Sequence, residues 1–357
     1  MPFLDRLSES LDGFSTRFQS TPVIKATMMG PRAVGKTSIM ASIFSETKDE
    51  IAGTKLYFRV GKDSSAALTA KRINLMSIFS KRTSLSDSPN AGAIQATAEE
   101  TIFKFEMGFV GHSKTVDIEI TDFPGEYLDS QPKKVSDYIL QSQVIMIAID
   151  TPYLMEEGGK YNEEKNRVKA VTRFVTEHPD EFKDKLIMFV PLKSERYFHD
   201  GKIDSVKQAV VSTYSAIINF CKQCNTACVV TPIQTLGDVE FDTFIDNPMP
   251  GVSSLTKLSK YRFCGDDAKF KPVFCVQPMY YVLTYVSNYY EWMSGQSMTI
   301  WERLKYSIYA LLKNNDKFFH EIKKLSKNII VGTLGYDIIQ NNTILNIKES
   351  TLKSGFV

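Results

Sequence analysis

Residues 23–37 read VIKATMMGPRAVGKT, and this stretch decides the fold class. The apolar run Val23–Met29 predicts a β-strand, and it leads directly into Gly30–Thr37, which satisfies the pattern G-x-x-x-x-G-K-[ST]. Residues Ser38–Phe44 predict the first turns of a helix. A glycine-containing loop between a strand and a helix lets backbone N–H groups wrap phosphate oxygens, and the helix N-terminus faces the same anion. We therefore predict a phosphate-binding loop, with candidate binding residues Gly30, Ala33, Val34, Gly35, Lys36, Thr37 and Ser38.

Two side chains of this loop carry specific chemistry. Lys36 is predicted to neutralise charge on the β- and γ-phosphates of a nucleotide, and Thr37 to offer its hydroxyl to Mg²⁺. The motif thus predicts binding of a nucleoside triphosphate together with Mg²⁺.

A β-hairpin is predicted further along the chain. Thr101–Phe109 and Thr115–Phe123 both alternate apolar and polar residues, and a turn containing Gly111 separates them. The hairpin ends at Asp122 and Gly125, where an acidic residue can bind Mg²⁺ through water and a glycine N–H can contact a γ-phosphate. An ordinary acidic residue at a strand end is the alternative interpretation.

The order of elements predicts the fold class. Three apolar strands, Val144–Ile149, Leu186–Val190 and Ala227–Val230, alternate with helical stretches at 131–141, 163–176 and 205–223. Strands that alternate with helices are typical of an α/β protein with a mostly parallel, doubly wound sheet. The hairpin is predicted to form an antiparallel edge of that sheet.

Three regions are predicted along the chain. Residues 1–21 hold an amphipathic helix, and residues 22–293 form the phosphate-loop domain, with insertions near 50–100 and 239–272. Residues 294–357 are predicted to be a helical extension, because apolar residues recur there at helical spacing.

Composition excludes several classes of protein. Lys plus Arg total 43 and Asp plus Glu total 41, so the net charge of +2 argues against a dedicated nucleic-acid binder. No uncharged apolar run reaches the roughly 18 residues that a transmembrane helix needs. Asp5, Glu9 and Asp12 interrupt what would be the apolar stretch of a secretory signal, so we expect a cytoplasmic protein.

The five cysteines are an odd number and a poor basis for a disulfide framework. Cys221, Cys224 and Cys228 are close in sequence, and a zinc site completed by Cys264 or Cys275 is one interpretation. Small buried residues of the core are the other interpretation.

In its order of motifs the chain resembles the P-loop GTPases, specifically the TRAFAC-like branch with a Ras-like order, whose strand before the acidic motif is antiparallel to its neighbour. The resemblance implies GTP or GDP as the ligand and Mg²⁺ as the cofactor, with Thr37 and Asp122 at the metal. It also implies a threonine that closes over Mg²⁺ and the γ-phosphate. Thr97 and Thr101 are both candidates, and Thr97 is favoured because it lies in the predicted loop.

The base-reading motif of that family, Asn-Lys-x-Asp, should follow the strand Leu186–Val190. The sequence there is Leu192-Lys193-Ser194-Glu195. Lys193 is expected to cover the base with its aliphatic stem, and Glu195 to replace the Asp that accepts hydrogen bonds from guanine. Leu192 replaces the Asn and cannot form a hydrogen bond, so the choice between GTP and ATP stays open.

Two departures from the Ras-like pattern concern catalysis. Glu126 stands where a water-positioning glutamine is expected, and it can orient water, or act as a base if burial raises its pKa. Arg32 occupies the third position of the phosphate loop, where it either acts as an arginine finger, in cis or across a dimer, or is a solvated side chain.

The insertions and the long C-terminal region resemble the bacterial double-GTPases of conflict and defence loci. This resemblance implies a protein effector or a second GTPase-like subunit, in a homo- or hetero-oligomer. A switch that hydrolyses GTP is the first hypothesis for function. A nucleotide-bound scaffold with little turnover and an ATPase are the alternatives.

Overall fold

The structure is a computed structural model, and it describes residues 23–81, 100–248, 255–295, 316–332 and 334–347. Its centre is an eight-stranded sheet with the strand order β10-β7-β6-β5-β1-β4-β3-β2. A separate antiparallel pair is formed by β8 and β9. The strands are β1 (Val23–Met29), β2 (Leu56–Val60), β3 (Thr101–Phe109), β4 (Lys114–Asp122), β5 (Val144–Asp150), β6 (Leu186–Leu192), β7 (Ala227–Val230), β8 (Val239–Asp246), β9 (Lys257–Phe263) and β10 (Asp337–Gln340).

Helices cover both faces of this sheet. They are α1 (Lys36–Ile51), α2 (Lys62–Ser80), α3 (Tyr127–Ser130), α4 (Pro132–Gln141), α5 (Thr151–Met155), α6 (Asn162–Asn166), α7 (Val168–Glu177), α8 (Pro179–Phe182), α9 (Glu195–His199), α10 (Ile203–Thr213), α11 (Ser215–Gln223), α12 (Gln277–Gly295) and α13 (Asp316–Leu325). Short 3-10 turns lie at Glu156–Gly159 and Ser326–Asn328.

The central strands are parallel and deeply buried. β1 pairs in parallel with β4 on one side and with β5 on the other, and β5, β6 and β7 continue the parallel order. All seven residues of β5 and all seven of β6 are buried, as expected for strands covered by helices on both faces. One apolar core packs α1, α12 and α13 against the sheet, and a second packs α4, α7 and α11 against the opposite face. The fold is therefore an α/β layered sheet, as predicted.

The register of β1 places the phosphate loop beside two acidic strand ends. Met28 of β1 lies opposite Asp122, the last residue of β4. Met29 lies opposite Ile147 of β5, a strand that ends at Asp150. Because the carboxyl ends of parallel strands meet at one edge of the sheet, the loop after β1 lies next to both aspartates.

The predicted hairpin is present as β3 and β4, which pair in antiparallel register. The structure adds β2 outside it, since Leu56–Val60 pairs antiparallel with β3. At the opposite edge, β10 comes from the region predicted as a helical extension and pairs antiparallel with β7. Phe318 of α13 and Leu345 belong to the same core as α1. The C-terminal region thus contributes a strand and core residues as well as a helix, and the predicted division into regions stays a prediction.

Two predicted helices are broken in the structure. The stretch 163–176 divides at Arg167, whose φ of 52° is left-handed and ends α6 before α7 begins. The stretch 205–223 divides at Tyr214, between α10 and α11. The predicted N-terminal helix, Thr97 and the middle of the C-terminal helical region lie outside the described residues. Within the described part of the chain, no helix combines the length and apolarity needed to cross a membrane.

Candidate nucleotide-binding site

The backbone of the phosphate loop adopts conformations that favour an anion. Gly30 has φ 151°, Ala33 has φ 57°, and Gly35, directly before α1, has φ 111°. Left-handed residues within a turn direct successive N–H groups into a concavity, which is a common anion-binding arrangement. Because Ala33 is not glycine, its left-handed conformation costs about 1 kcal/mol. This backbone at the N-terminus of a sixteen-residue helix is the arrangement that the motif predicted.

Three lysines hold the carbonyl groups of the loop. Lys36 Nζ donates to the carbonyl oxygens of Gly30 (3.1 Å) and Pro31 (3.2 Å). Lys165 Nζ donates to the carbonyl oxygen of Arg32 (2.9 Å). Lys193 Nζ donates to the carbonyl oxygen of Ala33 (3.3 Å). Four consecutive carbonyl groups are therefore hydrogen-bonded by ammonium groups, which fixes the direction of the intervening peptide planes.

Lys36, Thr37 and Asp122 converge at the base of the loop. The Lys36 side chain is buried, and its Nζ lies 3.7 Å from Asp122 Oδ1. Thr37 Oγ1 donates to Asp122 Oδ2 at 3.1 Å. Burial lowers the pKa of Lys36, and the charges of Asp122 and Glu126 oppose this effect only in part. A phosphate group beside Lys36 would favour its charged form further.

The same group of residues has the chemistry that Mg²⁺ requires. A threonine hydroxyl and a buried carboxylate that are hydrogen-bonded to each other present two hard oxygen atoms in one place. Mg²⁺ is bound in proteins through one or two such oxygens together with substrate phosphates and water. Thr37 and Asp122 therefore fit the predicted metal site.

Gly125 touches the phosphate loop, and no other residue type fits there. A Cβ atom on Gly125 would lie 2.7 Å from the Gly30 carbonyl oxygen and 3.1 Å from Pro31 Cα. The carbonyl oxygen of Gly125 accepts a hydrogen bond from Arg167 Nη1 at 2.9 Å. Arg167 also forms an ion pair with Asp129 of α3. The segment after Asp122 thus packs directly on the loop and is held from the outside by Arg167.

Asp150 is a site residue that the sequence reasoning missed. It is fully buried, and its Oδ2 accepts a hydrogen bond from Lys193 Nζ at 2.6 Å and lies 4.0 Å from Lys165 Nζ. The backbone of Asp150 is fixed by Asn166, which accepts from its N–H and donates to its carbonyl oxygen. Asp150 is an acidic residue that ends a buried strand beside β1, the same signal that identified Asp122. Lys165 was also missed, and the sequence carries no local signal for it.

Burial affects the two lysines on Asp150 in different ways. Burial lowers the pKa of Lys165 to about 8, against the attraction of Asp150. Burial also acts on Lys193, but its closer contact with Asp150 and Tyr261 outweighs burial and raises its pKa. Lys193 therefore stays charged, and its ammonium lies 5.7 Å from the ring centroid of Tyr261 in β9.

The residues predicted to read the base lie on α9 and the turn before it. Lys193 has φ 59° and reaches back to the phosphate loop. Leu192 is buried and faces Gly35, since a Cβ on that glycine would lie 4.0 Å from Leu192 Cδ1. Glu195 is 3% exposed, and its Oε1 accepts a hydrogen bond from the Leu236 N–H at 2.9 Å. Burial raises the pKa of Glu195 to about 7, although backbone hydrogen bonds act in the opposite direction. Base reading by Lys193 and Glu195 stays a prediction.

Two of the three candidate catalytic residues, Glu126 and Arg32, have exposed side chains. Glu126 is exposed directly before α3, so the burial that would make it a base is not present. The Arg32 side chain is exposed as well, while its carbonyl group is bound by Lys165. Val34 and Ser38 are buried, and their predicted role in phosphate binding, which would use their backbone N–H groups, stays a prediction. Thr97 lies outside the described residues, and Thr101 lies opposite Asp122 at the start of β3.

The cysteines that are close in sequence are core residues in the structure. Cys221 of α11 and Cys228 of β7 are buried in the second core, and all five cysteines are free thiols. The neighbouring Cys221, together with burial, raises the pKa of the Cys228 thiol. Among the described residues, Cys221, Cys224 and Cys228 do not belong to a group with the geometry of a metal site.

Comparisons with solved structures found, among others, three structures of two proteins, one a GTPase and the other a GTPase-like domain. The bacterial dynamin GTPase LeoA from ETEC matches at 15% identity over 64% of this chain and 33% of LeoA, with a TM-score of 0.31. The S. cerevisiae Ski7 GTPase-like domain bound to GDP and inorganic phosphate matches at 11% identity over 63% of this chain and 45% of that chain, with a TM-score of 0.40. The same domain bound to GTP matches at 10% identity over 62% and 45%, with a TM-score of 0.38. This chain thus spans less than half the length of each of these proteins. No protein-family profile matches its sequence, and no curated protein does.

Proposed function

We propose that this chain is a Mg²⁺-dependent switch that binds GTP and hydrolyses it to GDP and phosphate. The observation that carries the proposal is the convergence of Lys36, Thr37 and Asp122 inside a loop whose backbone has an anion-binding conformation. A nucleoside triphosphate needs both kinds of group, a cation beside its phosphates and oxygen ligands for Mg²⁺.

The residues divide the work of binding and hydrolysis. Lys36 and the loop N–H groups hold the β- and γ-phosphates, and Thr37 and Asp122 hold Mg²⁺. The ion supplies charge neutralisation at the phosphate oxygens. Gly125 offers its N–H to the γ-phosphate from the neighbouring segment. Glu126, exposed beside it, orients the attacking water, and Arg32 is placed on the loop surface to act in cis or on a second subunit.

Arg167 provides a way to transmit the nucleotide state. It holds the Gly125 carbonyl oxygen and pairs with Asp129, so a movement of Gly125 towards a γ-phosphate alters both contacts. Segments that are ordered by a γ-phosphate are a known basis of GTPase switching. We propose that a protein effector or a second GTPase-like subunit reads the surface around α3, in a homo- or hetero-oligomer.

The test is nucleotide affinity measured by calorimetry with Mg²⁺. Charged hydrogen bonds contribute about 1.5–3 kcal/mol each, so Lys36→Ala should weaken GTP binding by about 10- to 100-fold. Lys48→Ala is the matched control, because Lys48 is an exposed lysine in the last turn of the same helix. Thr37→Ala should reduce the dependence of affinity on Mg²⁺. Equal affinity of wild type and Lys36→Ala would contradict the proposal.

A nucleotide-bound scaffold with little turnover is the second candidate. Its support is the exposure of Glu126, which leaves that carboxylate without the environment of an efficient base. Such a scaffold would assemble a multi-protein complex, as the resemblance to bacterial defence proteins suggests. Steady phosphate release from labelled GTP over a long incubation, abolished in Thr37→Ala, would exclude it.

An ATPase with the same phosphate loop is the third candidate. Its support is that Leu192, which stands where guanine reading expects Asn, is buried and cannot form a hydrogen bond, and that Glu195 accepts a hydrogen bond from the Leu236 N–H. Competition of GTP and ATP for one fluorescent nucleotide distinguishes the two enzymes. A preference for ATP would replace GTP in the proposal and leave the roles of Lys36, Thr37 and Asp122 unchanged.

A further inference from the structure

Three potential metal ligands meet where the β8–β9 pair packs on α9. His199 is the last residue of α9, Glu240 lies on β8, and Cys264 directly follows β9. His199 Nδ1 lies 2.9 Å from Glu240 Oε2 and 3.6 Å from Cys264 Sγ. The three ligand atoms all lie within 4.8 Å of one another. This cluster is separate from the phosphate loop and from the Cys221 and Cys228 pair.

We propose that His199, Glu240 and Cys264 bind a zinc ion. Zinc takes nitrogen, oxygen and sulfur ligands at about 2.0–2.3 Å in a tetrahedron. Two ligands of such a tetrahedron are about 3.3–3.7 Å apart. The two distances from His199 Nδ1, 2.9 and 3.6 Å, are close to this separation and the third pair lies within 4.8 Å, so small side-chain rotations would complete the coordination. The mixture of imidazole, thiolate and carboxylate suits zinc better than Mg²⁺ or Ca²⁺, which take oxygen ligands.

Arg262 orients the carboxylate of this site. Its Nε and Nη2 both donate to Glu240 Oε1, at 2.9 and 2.6 Å. The other oxygen, Oε2, is directed at His199. A partner that fixes the second oxygen of a ligating carboxylate is typical of metal sites. The Glu240 side chain is 10% exposed, whereas the His199 side chain is 37% exposed, which leaves one side of the cluster open for a water molecule as the fourth ligand.

The position of the cluster gives the ion a structural task. α9 begins at Glu195, immediately after the turn that holds Lys193. A second contact joins the same elements, since Arg196 Nη1 donates to the Asp242 carbonyl oxygen at 3.3 Å. Bound zinc therefore fastens the β8–β9 pair to α9, and Tyr261 of β9 stays next to Lys193. Zinc binding itself does not depend on the proposed nucleotide chemistry.

The test uses the full, reduced chain without nucleotide. Zinc is titrated against a chromophoric chelator, and one ion per chain is expected. Replacing a residue that only hydrogen-bonds to a metal ligand weakens metal binding by about 10- to 100-fold. Cys264 and His199 are proposed as direct ligands, so Cys264→Ser and His199→Gln should each weaken zinc binding at least about tenfold. Cys224→Ser and His178→Gln are the matched controls, because both residues lie away from the cluster and should leave affinity unchanged.

Cobalt provides a second measurement, which reports directly on whether the Cys264 thiolate binds the metal. Co²⁺ bound to the wild type and to Cys224→Ser should show a thiolate-to-cobalt charge-transfer band, which Cys264→Ser should lack. Circular dichroism of each variant establishes that it is folded, and Glu240→Gln, a change of one atom, tests the same site if either ligand variant is unfolded. Absence of stoichiometric zinc, or affinity unchanged in the cluster variants, would overturn the proposal.

Discussion

Replacement of Glu195 by glutamine tests the most strongly perturbed carboxyl group near the predicted base-reading turn. Glu195 is 3% exposed, and its Oε1 accepts a hydrogen bond from the Leu236 N–H. The amide oxygen of glutamine can accept the same hydrogen bond, and the neutral amide does not carry a charge into the interior. The substitution therefore removes the charge and keeps the shape.

The magnitude follows from the pKa of Glu195, which burial raises from 4.5 to about 7. Between these values the folded chain holds a proton that the unfolded chain has released, so stability falls as pH rises through this window. The raised pKa corresponds to about 3 kcal/mol of lost stability once pH exceeds 7. Glu195→Gln should therefore match the wild type at pH 4 and unfold with about 3 kcal/mol more free energy at pH 8.

Urea denaturation followed by circular dichroism at both pH values measures this difference. Glu177→Gln is the matched control, because Glu177 is an exposed carboxylate at the end of α7, and it should change little at either pH. If Glu195→Gln were equally or less stable at pH 8, the burial argument would be refuted. The same variant reports on base reading, since a loss of GTP affinity at pH 8 would show that the ionised carboxylate contacts the base.

Two further substitutions test the packing and the charge of the loop. Gly125→Ala places a methyl group 2.7 Å from the Gly30 carbonyl oxygen, so we expect about 1–3 kcal/mol of destabilisation and weaker nucleotide binding, whereas Gly53→Ala, with open space around it, should do neither. Lys165→Met removes the donor to the Arg32 carbonyl oxygen and should weaken nucleotide binding about tenfold in calorimetry. Because burial lowers the pKa of Lys165 to about 8, wild-type stability should rise between pH 8 and 10, and this rise should shrink in Lys165→Met. Lys185→Met is the control, because burial also lowers the pKa of Lys185 to about 8. Lys185 donates to the Leu140 and Ser142 carbonyl groups, away from the loop. This variant should therefore show the same change in pH-dependent stability and keep the wild-type nucleotide affinity.

The strands that consist mainly of consecutive apolar residues were predicted from the sequence. β1 and β7 have the predicted bounds, and β5 and β6 extend the predicted strands by one and two residues at the carboxyl end. The phosphate loop was predicted as well, because its glycines, lysine and threonine are contiguous. In both cases the information lies within a few neighbouring residues, where a periodic pattern or a motif expresses it directly.

Features that depend on distant contacts were not predicted. β10 is a four-residue strand, and it exists because β7 offers it a free edge. The break at Arg167 is a left-handed residue whose side chain reaches Gly125 and Asp129, far away in sequence. The orientation of the Glu195 side chain is set by its hydrogen bond with the Leu236 N–H. In each case the residue or short segment has no strong intrinsic conformational preference, and a contact with a residue distant in sequence determines its conformation.

The charges around the phosphate loop would allow a chain with a net charge of +2 to hold the highly charged anion of the proposed function. Three lysines reach the loop carbonyl groups, and two buried aspartates, Asp122 and Asp150, lie beneath them. The cluster therefore carries about one net positive charge, and without the aspartates three ammonium groups would repel one another at short range. Asp150 contacts Lys165 and Lys193, whose ammonium groups hold the carbonyl groups of Arg32 and Ala33. Asp122 has a different set of contacts, because it pairs with Lys36 and Thr37. Under the proposed function it would exchange this pairing for Mg²⁺ when a phosphate group neutralises Lys36, so Asp150 would hold the loop in place and Asp122 would respond to the nucleotide.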